Sequence, residues 1–231
     1  MSLEERNGDR EELDRHAASR IGAKLRERVD ESGSAVLGVV GGRSVAGIYA
    51  ELADSDLPWP KIHIFLADER LVPLTSEDSN WQTVHPTLLA PLLESGRLPA
   101  ENAHPFHWAP ETTDQGIGAY ADELRASGGR FDAVVLSAGE DGHTASLFPD
   151  HEAVRAHGQH FVHVREAPKP PADRVSASRE LLEASGLAVL VFYGEEKADA
   201  LARFRDDAIA IEACPAKLVS EAGRAWVYSD N

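Results

Sequence analysis

The chain has 231 residues, of which 42% are hydrophobic, and its 23 basic and 39 acidic residues give a formal net charge of −16. This length and apolar content predict a globular protein with a sizeable core. The charge disfavours nucleic acid and anionic membranes as partners, because both repel an acidic surface, and an anionic ligand would need a local basic pocket.

The N-terminal sequence and the single cysteine bear on where the protein is found in the cell. The lone cysteine, Cys214, cannot form an intramolecular disulfide, and we expect a buried, inert thiol. The chain begins MSLEERNGDREELDRH, which is charged throughout, so we expect no signal peptide. Apolar runs stay well short of a membrane span. We therefore expect a cytoplasmic protein.

Helical and strand patterns alternate along the chain. Apolar residues spaced by four predict the first helix, at Leu13, Ala17, Ile21, Leu25 and Val29. Further helices are predicted at residues 44–52, 79–95, 111–126 and 195–205. Apolar runs predict strands at residues 35–42, 61–68, 131–137, 160–164 and 187–194, with a last strand at AWVY near the end. The alternation favours one α/β domain over residues 1–231, a three-layer α/β/α sandwich around a mostly parallel, Rossmann-like sheet.

Polar or glycine-rich clusters follow four of the predicted strands. They read GGRS, ADER, SAGEDGH and YGEEK. Open α/β sheets bind ligands at the carboxyl ends of their strands. If the sheet is parallel, the four clusters meet at one edge, which predicts a site there.

The cluster GGRS, Gly41 to Ser44, lies between a predicted strand and a predicted helix. Glycines allow a close approach of the backbone to an oxyanion, and a helix N-terminus adds free N–H groups. The same residues also fit an ordinary tight turn, and they match neither a Walker loop nor a GxGxxG fingerprint.

In ADER, Asp68 and Arg70 lie two residues apart and would face the same way in an extended chain. An acid beside a guanidinium can position a polar substrate while the arginine pairs with an anion. The alternative is a local ion pair followed by a helix cap at Ser79 or Asn80.

His143, in SAGEDGH, is suited to general acid or base catalysis, because an imidazole exchanges protons near neutral pH. Either Asp141 or Glu140 could orient its ring. Ser137 and Ser146 flank the histidine without a GxSxG elbow, which disfavours a serine nucleophile. Neither an HExxH motif nor a cysteine partner accompanies the remaining histidines, so we expect no metal site.

Three cations lie at or near predicted strand ends: Lys169, Arg174 and Lys197. A phosphate group is commonly held by two or three such side chains. For Lys197 the alternative is a solvated position on a helix.

Four segments together resemble the 6-phosphogluconolactonase family, which belongs to a larger group with the glucosamine-6-phosphate deaminases. They are DERLVP with the following SN at residues 68–80, DGHTASLFP at 141–149, PKPPADRVS at 168–176 and GEEKADAL at 194–201. The resemblance spans roughly residues 35–201, and DGHTASLFP is its most specific motif.

The resemblance implies hydrolysis of 6-phospho-D-glucono-1,5-lactone to 6-phospho-D-gluconate, the second step of the oxidative pentose phosphate pathway. It implies no metal and no organic cofactor. His143 would be the general base, with Asp68 and Asp141 beside it in the catalytic group. The residues that would bind substrate or phosphate are Gly41, Gly42, Arg43, Ser44, Arg70, Asn80, Gly142, Arg174 and Lys197. The expected partner is the small phosphorylated lactone, and the expected assembly is a monomer or a weak homodimer.

Two other functions are weighed against the lactonase. An amino-sugar-phosphate deaminase is disfavoured because its motif resembles DGHIAFNEP, with an acid where this chain has Phe148. A non-catalytic sugar-phosphate sensor would have no need of a general base. The chain also departs from the family pattern at Arg43, where a small hydroxyl residue is usual, and at Ser137, where a glycine is usual. Both departures bear on specificity.

Overall fold

The computed structural model describes residues 2–158 and 160–230. In this part of the chain the strands are β1 (Leu3–Asn7), β2 (Ala35–Val39), β3 (Ile62–Leu66), β4 (Asp68–Arg70), β5 (Ala103–His104), β6 (Ala133–Ser137), β7 (Phe161–Val164), β8 (Arg174–Ala177), β9 (Leu187–Phe192) and β10 (Ala225–Ser229). The α-helices are α1 (Arg10–Ser32), α2 (Ala46–Asp54), α3 (Asn80–Val84), α4 (Ala90–Glu94), α5 (Ile117–Ala126), α6 (Arg179–Glu183) and α7 (Ala198–Arg205).

The main sheet is seven-stranded, in the order β1-β10-β9-β6-β2-β3-β5, and every neighbouring pair is parallel. Every residue of β2 and of β9 is buried, as expected for strands that read as continuous apolar runs. Helices flank the sheet, which confirms the predicted α/β fold class.

A second, antiparallel sheet has three short strands in the order β4-β8-β7. The strand predicted at 160–164 therefore forms, but outside the main sheet. Strand β8, with the sequence RVSA, was not predicted, because buried arginine and serine interrupt its apolar pattern. This small sheet brings Asp68, Arg70 and Arg174 onto adjacent strands.

The sequence of helix α1 determines where the helix begins and ends and which of its faces is buried. The Asp9 side chain caps its start by accepting from the backbone N–H groups of Glu11 and Glu12 at 3.0 and 3.3 Å. Gly33, at φ 85°, ends it and donates to the Val29 carbonyl. The predicted apolar stripe is its buried face, packed on α2 and on the sheet.

Several predicted helices have different boundaries. The segment 79–95 is helical but contains a π-helical stretch, His85–Leu89, between α3 and α4. Residues 111–116 form turns instead of helix, and α5 starts after Gly116, whose φ is 91°. The helices predicted at residues 44 and 195 each begin with a short 3-10 turn, Arg43–Val45 and Glu195–Lys197.

Two further features concern the helices and the cysteine. Within the described part of the chain, no helix combines the length and apolar character needed to cross a bilayer. Cys214 is fully buried, as expected.

Candidate active site

A cavity of about 150 Å³ opens where β2, β3, β6 and β9 reach their carboxyl ends. Seven predicted site residues line it: Gly41, Asp68, Arg70, Asn80, His143, Arg174 and Lys197. It is also lined by Val40, Ser137, Ala138, Gly139, Ala145 and Lys169. The four polar clusters therefore meet at one edge of the sheet, as a parallel arrangement predicts.

A tight turn after β6 presents His143 to this cavity. The Gly139 N–H donates to the His143 carbonyl at 2.8 Å, and the Gly142 N–H donates to the Gly139 carbonyl at 3.0 Å. A Cβ on Gly139 would lie 2.0 Å from Nδ1 of His143, so any side chain there would displace the imidazole. Gly142 has a φ of 85°, a conformation that favours glycine. The glycines of SAGEDGH thus make room for the histidine ring.

Asp141 orients the imidazole of His143. Its Oδ1 lies 2.5 Å from Nδ1 of His143 and accepts the His143 backbone N–H at 3.1 Å. Partial burial alone would raise the pKa of Asp141, but the hydrogen bonds and charge of His143, with a contribution from Lys169, lower it to about 2. An ionised carboxylate only accepts hydrogen bonds, so Nδ1 carries the proton and the lone pair of the neutral ring lies on Nε2.

Residues 203–216 pack against the other side of the same turn and hydrogen-bond to its backbone. Arg203 donates from Nη1 to the Asp141 carbonyl at 2.7 Å, and the Ala216 N–H donates to the Gly142 carbonyl at 2.9 Å. A Cβ on Gly142 would lie 2.9 Å from Sγ of Cys214, so the thiol packs directly beneath the turn. Burial raises the pKa of Cys214, which agrees with the expected inert role.

Asp68, the first residue of β4, is buried and is held by neutral donors. Ser146 donates from Oγ to its Oδ2 at 2.7 Å, and Asn80 donates from Nδ2 to its Oδ1 at 3.1 Å and to its backbone carbonyl at 2.9 Å. Asn80 also lies against Gly41, where a Cβ would be 2.1 Å from the amide oxygen. Sequence reasoning considered Ser146 only as a nucleophile and missed this supporting contact.

Glu69, which the sequence did not single out, organises the loop between Arg70 and Asn80. Its buried carboxylate accepts from the backbone N–H groups of Arg70, Asn80 and Trp81 at 2.7, 2.6 and 3.0 Å, and from Ser79 Oγ at 2.7 Å. Burial raises the pKa of Glu69, and these four hydrogen bonds oppose the rise. Ser79 is the N-cap residue of α3, which confirms the cap that was weighed for it. The sequence offered one indication that Glu69 matters to the site, namely its position between two predicted site residues, Asp68 and Arg70.

Four cations of the described part of the chain border the cavity, Arg70, Lys169, Arg174 and Lys197. Arg174 is buried and donates from Nε to the Pro171 carbonyl at 3.0 Å and from Nη2 to the Lys169 carbonyl at 2.9 Å. Burial lowers the pKa of Arg174, and the charge of Asp68 opposes this. Arg70 donates from Nη1 to the Asp78 carbonyl at 2.5 Å. Among the described residues, the ammonium groups of Lys169 and Lys197 have no carboxylate within 4.0 Å. The cavity is thus a local basic pocket in an acidic chain.

Not every predicted site residue lines the cavity. The exceptions are Gly42, Arg43, Ser44, Asp141 and Gly142. Gly42 adopts a φ of 124° and donates its N–H to Thr83 Oγ1 at 3.3 Å. Arg43 is exposed, and Arg10 donates to the carbonyls of Arg43 and Ser44 at 2.9 and 3.2 Å. Asp141 acts on the cavity through His143.

Phe148 forms the wall behind the histidine. Its ring centroid lies 4.6 Å from that of His143, and the guanidinium carbon of Arg174 lies 5.3 Å from the same phenyl ring. The residue before Pro149 therefore contributes an apolar surface here and no acid. Its ring packs against the imidazole of His143.

Comparisons with known proteins agree with this architecture. A family model described as glucosamine-6-phosphate isomerases/6-phosphogluconolactonase matches residues 8–228. A 6-phosphogluconolactonase from Borreliella burgdorferi is 30% identical over 193 residues, covering 84% of this chain and 82% of that protein. One from Streptomyces coelicolor is 30% identical over 232 residues, covering 95% and 88%. The crystal structure of a 6-phosphogluconolactonase from Shewanella baltica superposes with a TM-score of 0.84 at 26% identity, covering 100% of this chain and 98% of that one.

Proposed function

The chain belongs to the glucosamine-6-phosphate isomerase/6-phosphogluconolactonase family, and from this premise we propose that it hydrolyses 6-phospho-D-glucono-1,5-lactone to 6-phospho-D-gluconate. The observation that carries the proposal is the Asp141–His143 pair at the edge of a cavity ringed by cations. A general base and an anion pocket are the two features that hydrolysis of a phosphorylated lactone needs.

His143 supplies the proton transfers. Nε2 takes a proton from water as the water oxygen bonds to C1 of the lactone, and the carbonyl electrons move onto the carbonyl oxygen. When this tetrahedral intermediate collapses, the bond between C1 and the ring oxygen breaks. The imidazolium returns its proton to the leaving oxygen, so the histidine ends the cycle neutral. Asp141 stabilises the imidazolium through Nδ1 at 2.5 Å.

The cations around the cavity bind the phosphate group of the substrate. They are Arg70, Arg174, Lys169 and Lys197. Arg174 is held in place by backbone carbonyls, so it offers a preorganised charge, whereas the lysines reach in on flexible stems. Asp68, fixed by Ser146 and Asn80, is available to accept a sugar hydroxyl.

Phe148 favours the lactonase over the deaminase. Isomerising an amino sugar needs an acid to assist ring opening, and the side chain at this position is a phenyl ring packed on His143. A lactone already presents an electrophilic carbonyl. A phenyl ring at this position is therefore compatible with lactone hydrolysis, whereas it cannot act as the acid that deamination needs.

The test is clearance of the lactone generated in place by glucose-6-phosphate dehydrogenase. Wild type, His143→Ala and buffer are compared, because the lactone also hydrolyses unaided. We expect His143→Ala to lower turnover about 10²- to 10⁴-fold with the fold intact. His157→Ala is the matched control, since the His157 side chain is 77% exposed and lies outside the cavity.

Two outcomes would contradict the proposal. One is a wild-type rate no faster than buffer, and the other is a His143→Ala rate equal to that of His157→Ala. Ammonia release from glucosamine 6-phosphate would instead favour the deaminase, and tight binding without turnover would favour the sensor. The absence of a cofactor, the single domain, the cytoplasmic location and the monomer or weak homodimer stay predictions.

A further inference from the structure

A second cavity, of about 310 Å³, lies at the opposite edge of the sheet from the candidate active site. Leu187, the first residue of β9, and Arg224, just before β10, line it on the sheet side. Helix α1 covers it with Arg20, Lys24 and Glu27. Its volume is at the lower end of the range for small-molecule sites.

The charge around this cavity is opposite to that of the chain. Among the residues that the structure describes, three cations line it, Arg20, Lys24 and Arg224, against one acid, Glu27, while the whole chain carries −16. The Lys24 ammonium lies 3.1 Å from Oε2 of Glu27. Within residues 2–158 and 160–230, neither Arg20 nor Arg224 has a carboxylate within 4.0 Å. Two guanidinium groups thus border the cavity without an acidic partner among the described residues, Arg20 half-buried and Arg224 exposed.

The walls hold two of these cations in place. The Arg20 guanidinium carbon lies 5.5 Å from the ring centre of Trp226, and its buried Nε has no hydrogen-bond partner in the described residues. A Cβ on Gly186 would lie 3.1 Å from Cε of Lys24, so the bare backbone gives the lysine stem its path along the cavity. The Lys24 side chain is only 26% exposed. Because their side chains are already restrained, Arg20 and Lys24 lose less entropy on binding an anion than freely moving side chains do.

We propose that this cavity is a second anion site, which binds the phosphate group of a small molecule between Arg20, Lys24 and Arg224. A dianionic phosphate suits two unpaired guanidinium groups and an ammonium better than a single carboxylate does, because it offers several acceptor oxygens at once. The free volume accommodates one phosphate and a short polar substituent. The site is separate from the catalytic cavity, and the two share no lining residue.

Isothermal titration calorimetry at low ionic strength tests the site, with inorganic phosphate and glycerol phosphate as two probes. Wild type is compared with Arg224→Ala and with Lys24→Ala. We expect each substitution to raise the dissociation constant of the second site about 10- to 100-fold, because each removes one charge-assisted hydrogen bond. Tighter binding of glycerol phosphate than of phosphate would identify an ester site, and equal binding a site for the free anion.

The control is Arg15→Ala, which removes the same charge from α1 at a side chain that is 63% exposed and outside the cavity. It is expected to bind both probes as wild type does. Lactone clearance by Arg224→Ala should equal that of wild type, which separates this site from the catalytic one. Titrations that are identical for wild type, Arg224→Ala and Lys24→Ala would overturn the proposal, as would an equal loss in Arg15→Ala. Both readings hold whether or not the chain is a lactonase.

Discussion

Asp141 is the residue that sets the tautomer and the orientation of the His143 ring. Its carboxylate accepts from both the ring and the backbone of His143, and its pKa of about 2 keeps it ionised throughout the neutral range. The negative charge fixes the proton on Nδ1 and stabilises the imidazolium that forms during turnover. The neighbouring acid, Glu140, is exposed and has no such contact in the described residues.

We expect Asp141→Asn to lower kcat about 10²-fold and to leave KM within a few-fold of wild type. The amide keeps the shape of the carboxylate but not its charge, so the imidazolium loses its partner. Steady-state lactone clearance across pH 6–8 measures the effect. The matched control is Glu140→Gln, which we expect to behave as wild type. Equal losses of kcat in the two variants would show that turnover depends on negative charge near the loop and not on the orientation of the His143 ring.

At the scale of elements, the loop from β4 to α3 is organised around one buried carboxylate. Glu69 holds three backbone N–H groups and one hydroxyl, and these include the first N–H groups of α3, which have no partner inside the helix. Because Arg70 and Asn80 stand at the two ends of this network, its integrity sets the position of two cavity residues.

Glu69→Gln should lower the free energy of unfolding by about 2–3 kcal/mol, because an amide NH₂ would replace an acceptor and face the N–H groups that it now binds. It should also raise KM, since Arg70 and Asn80 lose their common anchor. Urea denaturation at pH 8 measures the first effect. Glu77→Gln, at an exposed position of the same loop, should change stability by less than about 0.5 kcal/mol. Equal stability of the two variants would refute the anchoring role.

The strands that the sequence predicts most clearly are those whose residues are both buried and apolar. Strands β2, β6 and β9 read as apolar runs because both of their faces are covered. Strand β1 escaped prediction because LEERN is polar and exposed along its length, and β8 because its buried Arg174 serves the cavity. In short strands that carry site residues, the residue types are determined by the chemistry of the site more than by burial, so the hydrophobic pattern does not reveal them.

At the scale of the whole molecule, the meeting of four strand ends could be predicted, because parallel strands share one carboxyl edge. The contacts that stiffen the site could not. Ser146 reaches Asp68 across 78 positions of sequence, and Cys214 packs under Gly142 across 72. Such contacts between distant residues depend on how the loops fold over the sheet. No local sequence pattern in either segment predicts them.

Stability and pH are linked through Asp14, a buried acid where α1 packs on the start of α2. Its Oδ2 lies so close to Gly47 that a Cβ there would be 2.0 Å away. Burial raises the pKa of Asp14 from an ordinary value of 3.8 to about 6, against the opposing effects of Tyr193 and of the Arg10 charge. Between these two values the folded state keeps a proton that the unfolded state releases. The resulting stability is present at low pH and is lost as the pH rises through about 6.

Asp14→Asn removes this titration, so its stability relative to wild type should increase by about 1–2 kcal/mol from pH 5 to pH 8. The rise reflects a growing cost in wild type, where the buried carboxylate must ionise in the folded protein, while the amide stays neutral at every pH. Urea denaturation of both proteins at intervals of half a pH unit measures the difference. Asp30→Asn, an exposed change on the same helix, should give a difference that stays flat. A flat difference for Asp14→Asn as well would mean that the carboxylate ionises in the folded protein at no cost, and that its place against Gly47 is open to water.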